Sequence, residues 1–264
     1  MKGSSSYYAI VTGSSQGLGR ALAEELARRG HNLILAALPG TGLPEMSERL
    51  ARNYGVTVHT VETDLMRPEA PEEIAGYVKE NALEVDILVN NVGIGHGGRI
   101  GDYSDRAVEE SIFLNMRCAT LMTNLFTGEL SRRRKSHILN IGSFGGFLPI
   151  PYKSIYAASK SFIYHFSLAV REEMKANGVS VSVAMPGGII TNQKVRERVA
   201  NLGTLGKMNA IEPDSAAHYI LERMFRGKAV IITGRSTRIA YRIGTFLPFI
   251  FLMPLAGKIF RGVN

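Results

Sequence analysis

The sequence predicts an α/β fold in which seven parallel strands form one doubly wound sheet between two layers of helices. Short β-branched or apolar runs alternate with longer segments of helical periodicity along most of the 264 residues. Connecting helices of about ten or more residues imply parallel strands with right-handed crossovers. A glycine-rich turn also joins the first strand to the first helix, between residues 12 and 19.

The strands are predicted from their β-branched and apolar composition. They cover residues 7–11, 32–37, 56–62, 85–91, 137–142, 179–185 and 229–233. The helices are predicted from helical spacing of apolar residues, and the first two end at glycines. They cover residues 18–30, 45–55, 70–81, about 105–128, about 152–177 and about 213–225. No internal repeat and no clear linker interrupts this order. Residues 1–234 are therefore predicted to be one domain, with residues 235–264 as its C-terminal extension.

The composition is typical of one large domain in a reducing compartment. With 45% hydrophobic residues, the chain can bury a large core. The single cysteine, Cys118, excludes an internal disulfide. The N-terminal stretch MKGSSSYYAIVTG contains no apolar run long enough for a signal peptide. These observations predict a cytoplasmic protein.

The chain is basic, with 31 Lys and Arg against 23 Asp and Glu, a net charge of +8. Such an excess is compatible with nucleic acid, an anionic membrane surface or a phosphate-bearing ligand. The densest basic run is RRRK, Arg132 to Lys135, which we interpret as a solvated loop. No aromatic residue is interleaved with it, so we expect no nucleic-acid partner.

Thr12, Gly13, Gly17 and Gly19 form the pattern TGxxxGxG between the first strand and the first helix. Gly13 permits a tight turn, Gly17 lets the backbone approach a pyrophosphate, and Gly19 lets the helix pack close to the sheet. The helix N-terminus then offers free N–H groups to phosphates. The predicted phosphate-binding segment is Gly13, Ser14, Ser15, Gln16, Gly17, Leu18 and Gly19.

Further motifs follow in order along roughly residues 7–234. They are Asp64–Leu65 after the third strand, NNVG (90–93), Asn115, Ser143, Tyr156 with Lys160, and Pro186–Gly187 with Thr191. This ordered set resembles the short-chain dehydrogenase/reductase family, which has a Rossmann-like fold. In NNVG, valine stands where the family has alanine. The resemblance implies that further cofactor contacts come from Ala37, Asp64, Leu65, Asn91, Gly93, Tyr156, Lys160, Pro186, Gly187, Ile189 and Thr191.

Tyr156 and Lys160 are four residues apart and therefore share one face of a helix. A free phenol has a pKa of about 10, and a nearby ammonium favours the phenolate and lowers that pKa. The resemblance implies that Tyr156 exchanges the proton, that Ser143 stabilises the reacting oxygen, and that Lys160 holds the nicotinamide ribose. It also implies that Asn115 anchors a water linking Lys160 to solvent. No metal site is predicted.

The cofactor determinants depart from the family pattern. Ala37 stands where an acidic residue would select NAD, and Leu38 where an arginine would select NADP. Gln16, before the second glycine of the turn, is neutral. Without a carboxylate to repel the 2′-phosphate, the sequence weakly favours NADP(H) over NAD(H). Ser14, Ser15 and Gln16 are the candidate donors to that phosphate.

The predicted substrate side consists of loops 93–101 and 143–152 and the segment after Pro186. The residues expected nearest to the substrate are Ser143, Phe144, Gly145, Tyr152 and Tyr156. Most side chains in these loops are apolar or small, which suits a lipophilic ketone or alcohol. His96 and Arg99 are interpreted either as contacts to a polar end of the substrate or as exposed loop positions.

The C-terminal stretch 242–264 is apolar, contains Pro248 and Pro254, and is flanked by basic residues. Its uncharged run, 243–257, is shorter than the roughly 20 residues of a relaxed bilayer span. Three interpretations stay open. The stretch could lie in a membrane interface, cap the substrate pocket, or pack against another subunit.

The sequence thus predicts an NAD(P)-dependent oxidoreductase that interconverts a ketone and a secondary alcohol. The resemblance points to a long-chain 3-ketoacyl, 3-ketosphinganine or steroid-like substrate. Two alternatives are an NAD(P)-binding redox-sensing or regulatory protein without turnover, and a membrane-surface scaffold. The resemblance also implies a homodimer or homotetramer formed through the helices at about 105–128 and 152–177.

Overall fold

The computed structural model describes residues 6–133, 135–190 and 210–244. Nine strands lie in these ranges: β1 (Tyr8–Thr12), β2 (Asn32–Ala37), β3 (Val58–Glu62), β4 (Val85–Asn90), β5 (Ser136–Ile141), β6 (Val179–Met185), β7 (Gly188–Ile189), β8 (Ala210–Ile211) and β9 (Val230–Ile232). Seven of them form one sheet in the order β3-β2-β1-β4-β5-β6-β9, while β7 and β8 pair separately. All its neighbouring pairs are parallel, which confirms the predicted fold class.

Eight α-helices connect or follow these strands within the described ranges. They are α1 (Gly17–Arg28), α2 (Leu43–Tyr54), α3 (Ala70–Glu80), α4 (Asp105–Ile112), α5 (Cys118–Ser131), α6 (Ser154–Met174), α7 (Pro213–Phe225) and α8 (Arg235–Gly244). The prediction had one helix over about 105–128. The structure instead joins α4 and α5 through a π-helical segment, Phe113–Arg117. The helix α8 was not predicted, because its residues were assigned to the apolar and basic C-terminal extension 235–264.

The helices cover both faces of the sheet. One core contains Leu22 and Leu26 of α1, Leu50 of α2 and Leu221 of α7. The other contains Ile74 of α3, Met122 and Phe126 of α5, and Met174 of α6. Each such side chain contributes about 1.5–3 kcal/mol of burial free energy. This two-sided burial explains why the central strands β2 and β4 contain runs of consecutive apolar residues instead of alternating.

The strand order reverses between β1 and β4. The chain leaves β1 toward α1 on one face, and it leaves β4 toward α4 and α5 on the other. The loops therefore diverge and leave a crevice at the carboxyl ends of these strands, where open α/β sheets bind their ligands. The predicted glycine turn, NNVG and Ser143 all follow strands that border this crevice.

One prediction about the surface of the fold is wrong, and others fall on residues that the structure does not describe. In the RRRK run, the side chain of Arg133 is only 15% exposed and forms ion pairs with Glu84 and Glu129. The interpretation as a solvated loop is therefore wrong for this residue. The stretch 245–264 and Thr191 lie outside the described residues. The domain boundary at 234 stays a prediction. No helix in the described part of the chain combines the length and the apolar character needed to cross a bilayer.

Candidate active site

The glycine turn has the geometry that the sequence predicts. Gly13 and Gly17 adopt positive φ angles of 64° and 56°, a conformation that disfavours residues with a Cβ. A Cβ built on Gly19 would lie 2.1 Å from the carbonyl oxygen of Gly13 and 2.4 Å from Nδ2 of Asn91. Only glycine therefore allows α1 to start this close to the turn. No side chain caps the N-terminus of α1, so its N–H groups can receive an anion.

Asn91 and Thr12 fix the position of this turn against β4. The Asn91 side-chain amide donates to the carbonyl oxygens of Thr12 (2.9 Å) and Gly13 (3.1 Å). The backbone N–H groups of Asn91 and Val92 donate to Oγ1 of Thr12, at 3.0 and 3.2 Å. The Asn91 side chain thus holds the turn, and the predicted contact of Asn91 with a cofactor stays a prediction. The bridge that the Thr12 hydroxyl forms between β1 and the segment after β4 was not predicted, because a threonine before a glycine indicates only the end of a strand.

The residues predicted to receive the adenosine end differ in accessibility. Ser14 is fully buried and its hydroxyl donates to the carbonyl oxygen of Ala36 at 3.3 Å, so its contact with a 2′-phosphate stays a prediction. Ser15 is half-buried and Gln16 is exposed, so both remain accessible. Ala37 is buried, whereas the Leu38 side chain is 52% exposed.

The other predicted cofactor positions lie in loops at the same edge of the sheet. Asp64 accepts a hydrogen bond from the backbone N–H of Met66 at 2.9 Å, and Leu65 is buried. Pro186 is buried, and its carbonyl oxygen accepts from the N–H of Phe144 at 2.8 Å. Gly187 follows β6, and Ile189 pairs with Ile211. These contacts join the segment after β6 to the loop that carries Ser143.

Lys160 is buried, although its side chain can carry a charge. The helix α6 places it one turn beyond Tyr156, and the lysine is 5% exposed. Its Nζ atom donates to the carbonyl oxygen of Ile141, at the end of β5, at 3.0 Å. Burial lowers the pKa of Lys160 to about 8, because desolvation disfavours the charged form. The ammonium is therefore easier to deprotonate than that of an exposed lysine.

The Ser143 hydroxyl lies close enough to the phenol of Tyr156 to affect its pKa, as expected of a pair that acts on one oxygen. Burial raises the pKa of Tyr156, and the Ser143 hydroxyl opposes that rise. The sequence predicts that Lys160 lowers the pKa of Tyr156. In the structure, Lys160 is not among the groups that shift this pKa. Ser143 follows β5 and starts a short 3₁₀ helix, Phe144–Phe147, where its Oγ accepts from the N–H of Gly145 at 3.2 Å.

Two glycines flank the ring of Tyr156. A Cβ built on Gly95 would lie 3.4 Å from Cε2 of the ring, and one built on Gly145 would lie 3.7 Å from Cε1. Gly145 was predicted as a substrate contact, whereas Gly95 was not singled out. The glycine-rich loop GIGHGG (93–98) was the only signal for it. The two glycines thus let the backbone approach the phenol ring closely from both sides.

Asn115 lies in the π-helical segment, and both polar atoms of its side-chain amide bind the backbone of Ile94. Its Oδ1 accepts from Ile94 N–H at 2.8 Å, and its Nδ2 donates to Ile94 O at 2.9 Å. The same Nδ2 donates to Oγ of Ser159 at 3.0 Å, and Ser159 donates to the carbonyl oxygen of Tyr156 at 2.8 Å. Asn115 thus connects the loop after β4 to α6. Its predicted water-anchoring role stays a prediction, and Ser159 was missed.

Gly93 shows why the loop after β4 must be small. A Cβ built on it would lie 2.7 Å from Oδ1 of Asn115 and 3.1 Å from Nζ of Lys160. The exposed backbone of Gly93 therefore lies directly beside the buried ammonium. Positive-φ glycines, an uncapped helix N-terminus and an accessible backbone beside Lys160 together fit a dinucleotide whose nicotinamide end approaches Tyr156.

The loops around the crevice are held by contacts of their own. His96 lies 3.0 Å from a carboxylate oxygen of Glu110, and Arg99 is exposed, so no contact assigns either residue to a substrate. The backbone N–H of Gly98 donates to the carbonyl oxygen of Tyr152 at 2.8 Å. Tyr152 has a φ angle of 64°, which costs a non-glycine residue free energy.

An aromatic cluster supports the loop that carries Ser143. The ring of Phe147 lies 5.8 Å from Phe144, 5.0 Å from Tyr164 of α6 and 4.4 Å from Tyr241 of α8. The hydroxyl groups of Tyr164 and Tyr241 are hydrogen-bonded, and burial raises the pKa of Tyr164 to about 12. The helix α8 therefore packs against the substrate side of the crevice.

Comparison with known proteins identifies the family. The sequence profile of the short chain dehydrogenase family matches residues 7–201. The chain belongs to the short-chain dehydrogenase/reductase family. The family consists of nicotinamide-dependent oxidoreductases. The candidate active site of this chain is the cluster at the carboxyl edge of the sheet, which contains Ser143, Tyr156 and Lys160.

The names of two relatives of this short-chain dehydrogenase/reductase refer to acyl-CoA and steroid compounds. It is 33% identical to the very-long-chain 3-oxoacyl-CoA reductase of Homo sapiens over 199 residues, which are 72% of this chain and 62% of that protein. It is 35% identical to 17-beta-hydroxysteroid dehydrogenase type 3 of Mus musculus over 188 residues, 70% of this chain and 60% of that protein. The chain thus spans about three fifths of the length of these curated relatives.

A solved structure confirms the fold of this family member. A short-chain dehydrogenase from Sphingobium yanoikuyae in complex with NADPH superimposes with a TM-score of 0.78 at 28% identity. The match covers 90% of this chain and 93% of that one.

Proposed function

We propose that this chain is an NAD(P)-dependent oxidoreductase that reduces a lipophilic ketone to a secondary alcohol. The observation that carries the proposal is the convergence of Ser143, Tyr156 and Lys160 beside the glycine turn. A Cβ built on Gly145 would lie 3.6 Å from Oγ of Ser143 and 3.7 Å from Cε1 of Tyr156, and Nζ of Lys160 lies next to the backbone of Gly93. A family member that lacked chemistry would not need a buried ammonium at this position.

Each side chain has a role that follows from its surroundings. A bound nicotinamide supplies or accepts the hydride. The Ser143 hydroxyl donates to the substrate oxygen, and the Tyr156 hydroxyl delivers the proton to it. Because burial raises its pKa, Tyr156 holds its proton at neutral pH, which is the state from which reduction starts. Lys160, with a pKa of about 8, is the group that can return a proton to the phenolate.

The apolar crevice supports a lipophilic substrate. Phe144, Phe147 and Ile150 lie on the loop that follows Ser143, and none of them carries a charge. The names of the relatives, a very-long-chain 3-oxoacyl-CoA reductase and a hydroxysteroid dehydrogenase, support the same substrate class. We extend the proposal to a long-chain 3-ketoacyl, 3-ketosphinganine or steroid-like ketone.

The same proposal covers assembly and location. The helical segments 105–131 and 154–174 are the surfaces through which we expect a homodimer or homotetramer to form. Residues 242–264, apolar and flanked by basic residues, are the proposed contact of a cytoplasmic protein with a membrane surface. The exposed Ile239 on α8, just before this stretch, supports that direction.

The test is the loss of absorbance of the reduced nicotinamide. NADPH and NADH are run in parallel against a long-chain 3-ketoacyl thioester, 3-ketosphinganine and a ketosteroid. We expect turnover with at least one ketone, and a loss of about a thousandfold in Tyr156→Phe, because the proton donor is removed. Both proteins should bind the reduced nucleotide equally well.

The matched control is Tyr77→Phe. It removes a hydroxyl that contacts His59 at 2.9 Å, between α3 and β3, away from the crevice. This variant should retain full turnover. Full turnover in Tyr156→Phe would contradict the mechanism. Nucleotide binding without turnover of any ketone would favour the regulatory alternative.

A further inference from the structure

An acidic side chain lies at the carboxyl end of β3, beside the end of β2 where the ribose contact was predicted. Glu62 is the last residue of β3, and its register partner on β2 is Ala37. Paired residues of neighbouring strands direct their side chains to the same face of a sheet. The carboxylate of Glu62 thus projects from the same face and the same strand end as the methyl group of Ala37.

The carboxylate is bound to the loop that follows β2. Its Oε1 accepts a hydrogen bond from the backbone N–H of Gly40 at 3.1 Å. The same loop is closed by Thr41, whose hydroxyl donates to the carbonyl oxygen of Leu38 at 2.7 Å. A negative charge is therefore held against a loop whose first residue is the largely exposed Leu38.

No described cation neutralises this charge. Arg49 on α2 pairs with Glu24, and Arg67 after β3 pairs with Glu73. Neither Lys nor Arg forms an ion pair with Glu62 in the described ranges. The charge of Glu62 is thus available to act on a ligand at the end of β2.

In dinucleotide-binding folds, the residue about 20 positions beyond the glycine turn reads the ribose 2′ position. An acidic group there accepts from a 2′-hydroxyl and repels a 2′-phosphate. We propose that Glu62 supplies this acidic group from the neighbouring strand, in place of Ala37, and makes the chain bind NAD(H) more tightly than NADP(H). The inference rests on the proposed function, and it reverses the preference expected from Ala37 alone.

The test is direct binding, measured by nicotinamide fluorescence, without turnover. NADH and NADPH are titrated into the wild-type protein, Glu62→Gln and Glu48→Gln. Glu62→Gln keeps an acceptor for Gly40 but removes the charge, so NADPH should bind about tenfold more tightly while NADH changes less than about twofold. Glu48→Gln removes one exposed charge of α2 and should change neither affinity.

Salt provides a second readout. The gain for NADPH in Glu62→Gln should shrink as the ionic strength rises, because the removed repulsion is electrostatic. Wild-type protein that binds NADPH more tightly than NADH, or a Glu62→Gln variant with an unchanged affinity ratio, would overturn the inference and leave the oxidoreductase proposal standing. Failure of the wild type to bind either nucleotide would overturn both.

Discussion

Both ends of the central sheet bury titratable groups, but the hydrogen bonding around these groups differs between the two ends. At the carboxyl end, Lys160 donates to Ile141, and Asn115 links Ile94 to α6 through Ser159. At the amino end, Nδ1 of His31, Nδ1 of His137 and Oδ1 of Asp86 have no hydrogen-bond partner among the described residues. Burial shifts pKa values at both ends, yet only the carboxyl end joins the shifted group to a hydrogen-bond network beside an open crevice.

Aromatic packing closes the amino end. The ring of Phe225, at the end of α7, stacks on His31 at 5.5 Å and meets His137 edge-on at 5.3 Å. Burial lowers the pKa of His137 to about 4 and raises that of Asp86 to about 6. Such shifts resemble those of active sites, but the buried polar atoms His31 Nδ1, His137 Nδ1 and Asp86 Oδ1 have no hydrogen-bond partner in the part of the chain that the structure describes. A pKa shift therefore indicates function only together with connection and access.

The largest effect that would sharpen this contrast is expected for Lys160→Gln at the carboxyl end. Activity should fall about a thousandfold, because the group that can return a proton to Tyr156 is lost. The free energy of unfolding should stay equal or rise, because a buried ammonium is costly. In the wild type, kcat/KM should decline above about pH 8 as Lys160 deprotonates. Steady-state pH profiles and urea unfolding measure both quantities.

The control is Lys175→Gln, which removes an exposed lysine paired with Glu172 just after α6. It should keep the wild-type profile and activity. A Lys160→Gln protein that loses stability but retains activity would place Lys160 with the structural groups of the amino end and remove the contrast.

A smaller effect, on stability alone, is expected for His137→Leu at the amino end. The pKa of His137 is lower in the folded chain than its usual 6.5, so the folded state favours neutral imidazole. This contribution is fully present above pH 6.5 and is lost as the pH falls to about 4, a change of roughly 3 kcal/mol. His137→Leu should flatten the fall in unfolding free energy over this interval, while activity at pH 7 stays unchanged.

Urea unfolding at several pH values measures that slope. The exposed His165, replaced by Gln, is the matched control and should leave the slope unchanged. Asp86, whose raised pKa acts in the opposite direction, is present in all three proteins. Equal slopes for the wild type and His137→Leu would show that the buried imidazole does not control acid stability.

The smallest effect is expected for Ser159→Ala, which tests connection at the carboxyl end. It removes the hydroxyl between Asn115 and the Tyr156 carbonyl, so kcat should fall about tenfold with little change in KM. Ser159→Thr keeps a hydroxyl and should restore most of the activity. Ser161→Ala, two positions further along α6, serves as control. An unchanged kcat in Ser159→Ala would reduce this bridge to packing.

Local patterns of the sequence were sufficient for the doubly wound parallel fold class, the glycine turn and the Tyr156–Lys160 pair. Each depends on spacing within one segment or on the periodicity of an element. Features that arise between distant segments were not predictable in this way. Glu62 matters because of its partner on β2, Gly95 because of the ring it faces, and Ser14 because its hydroxyl turns toward Ala36. In the same way, the sequence predicts a solvated loop residue at Arg133, because its ion pair with the distant Glu84 forms only in the folded chain.

The π-helical segment Phe113–Arg117 has a consequence for how this chain can change over evolutionary time. A π turn contains one residue more than an α turn, and such insertions persist mostly at functional sites. Deleting one residue there would restore a regular helix and rotate everything beyond it by about 100° relative to α4. Asn115 would then no longer face Ile94. The number of residues in this segment is therefore tied to the contact of Asn115 with the loop after β4, and neither can change without the other.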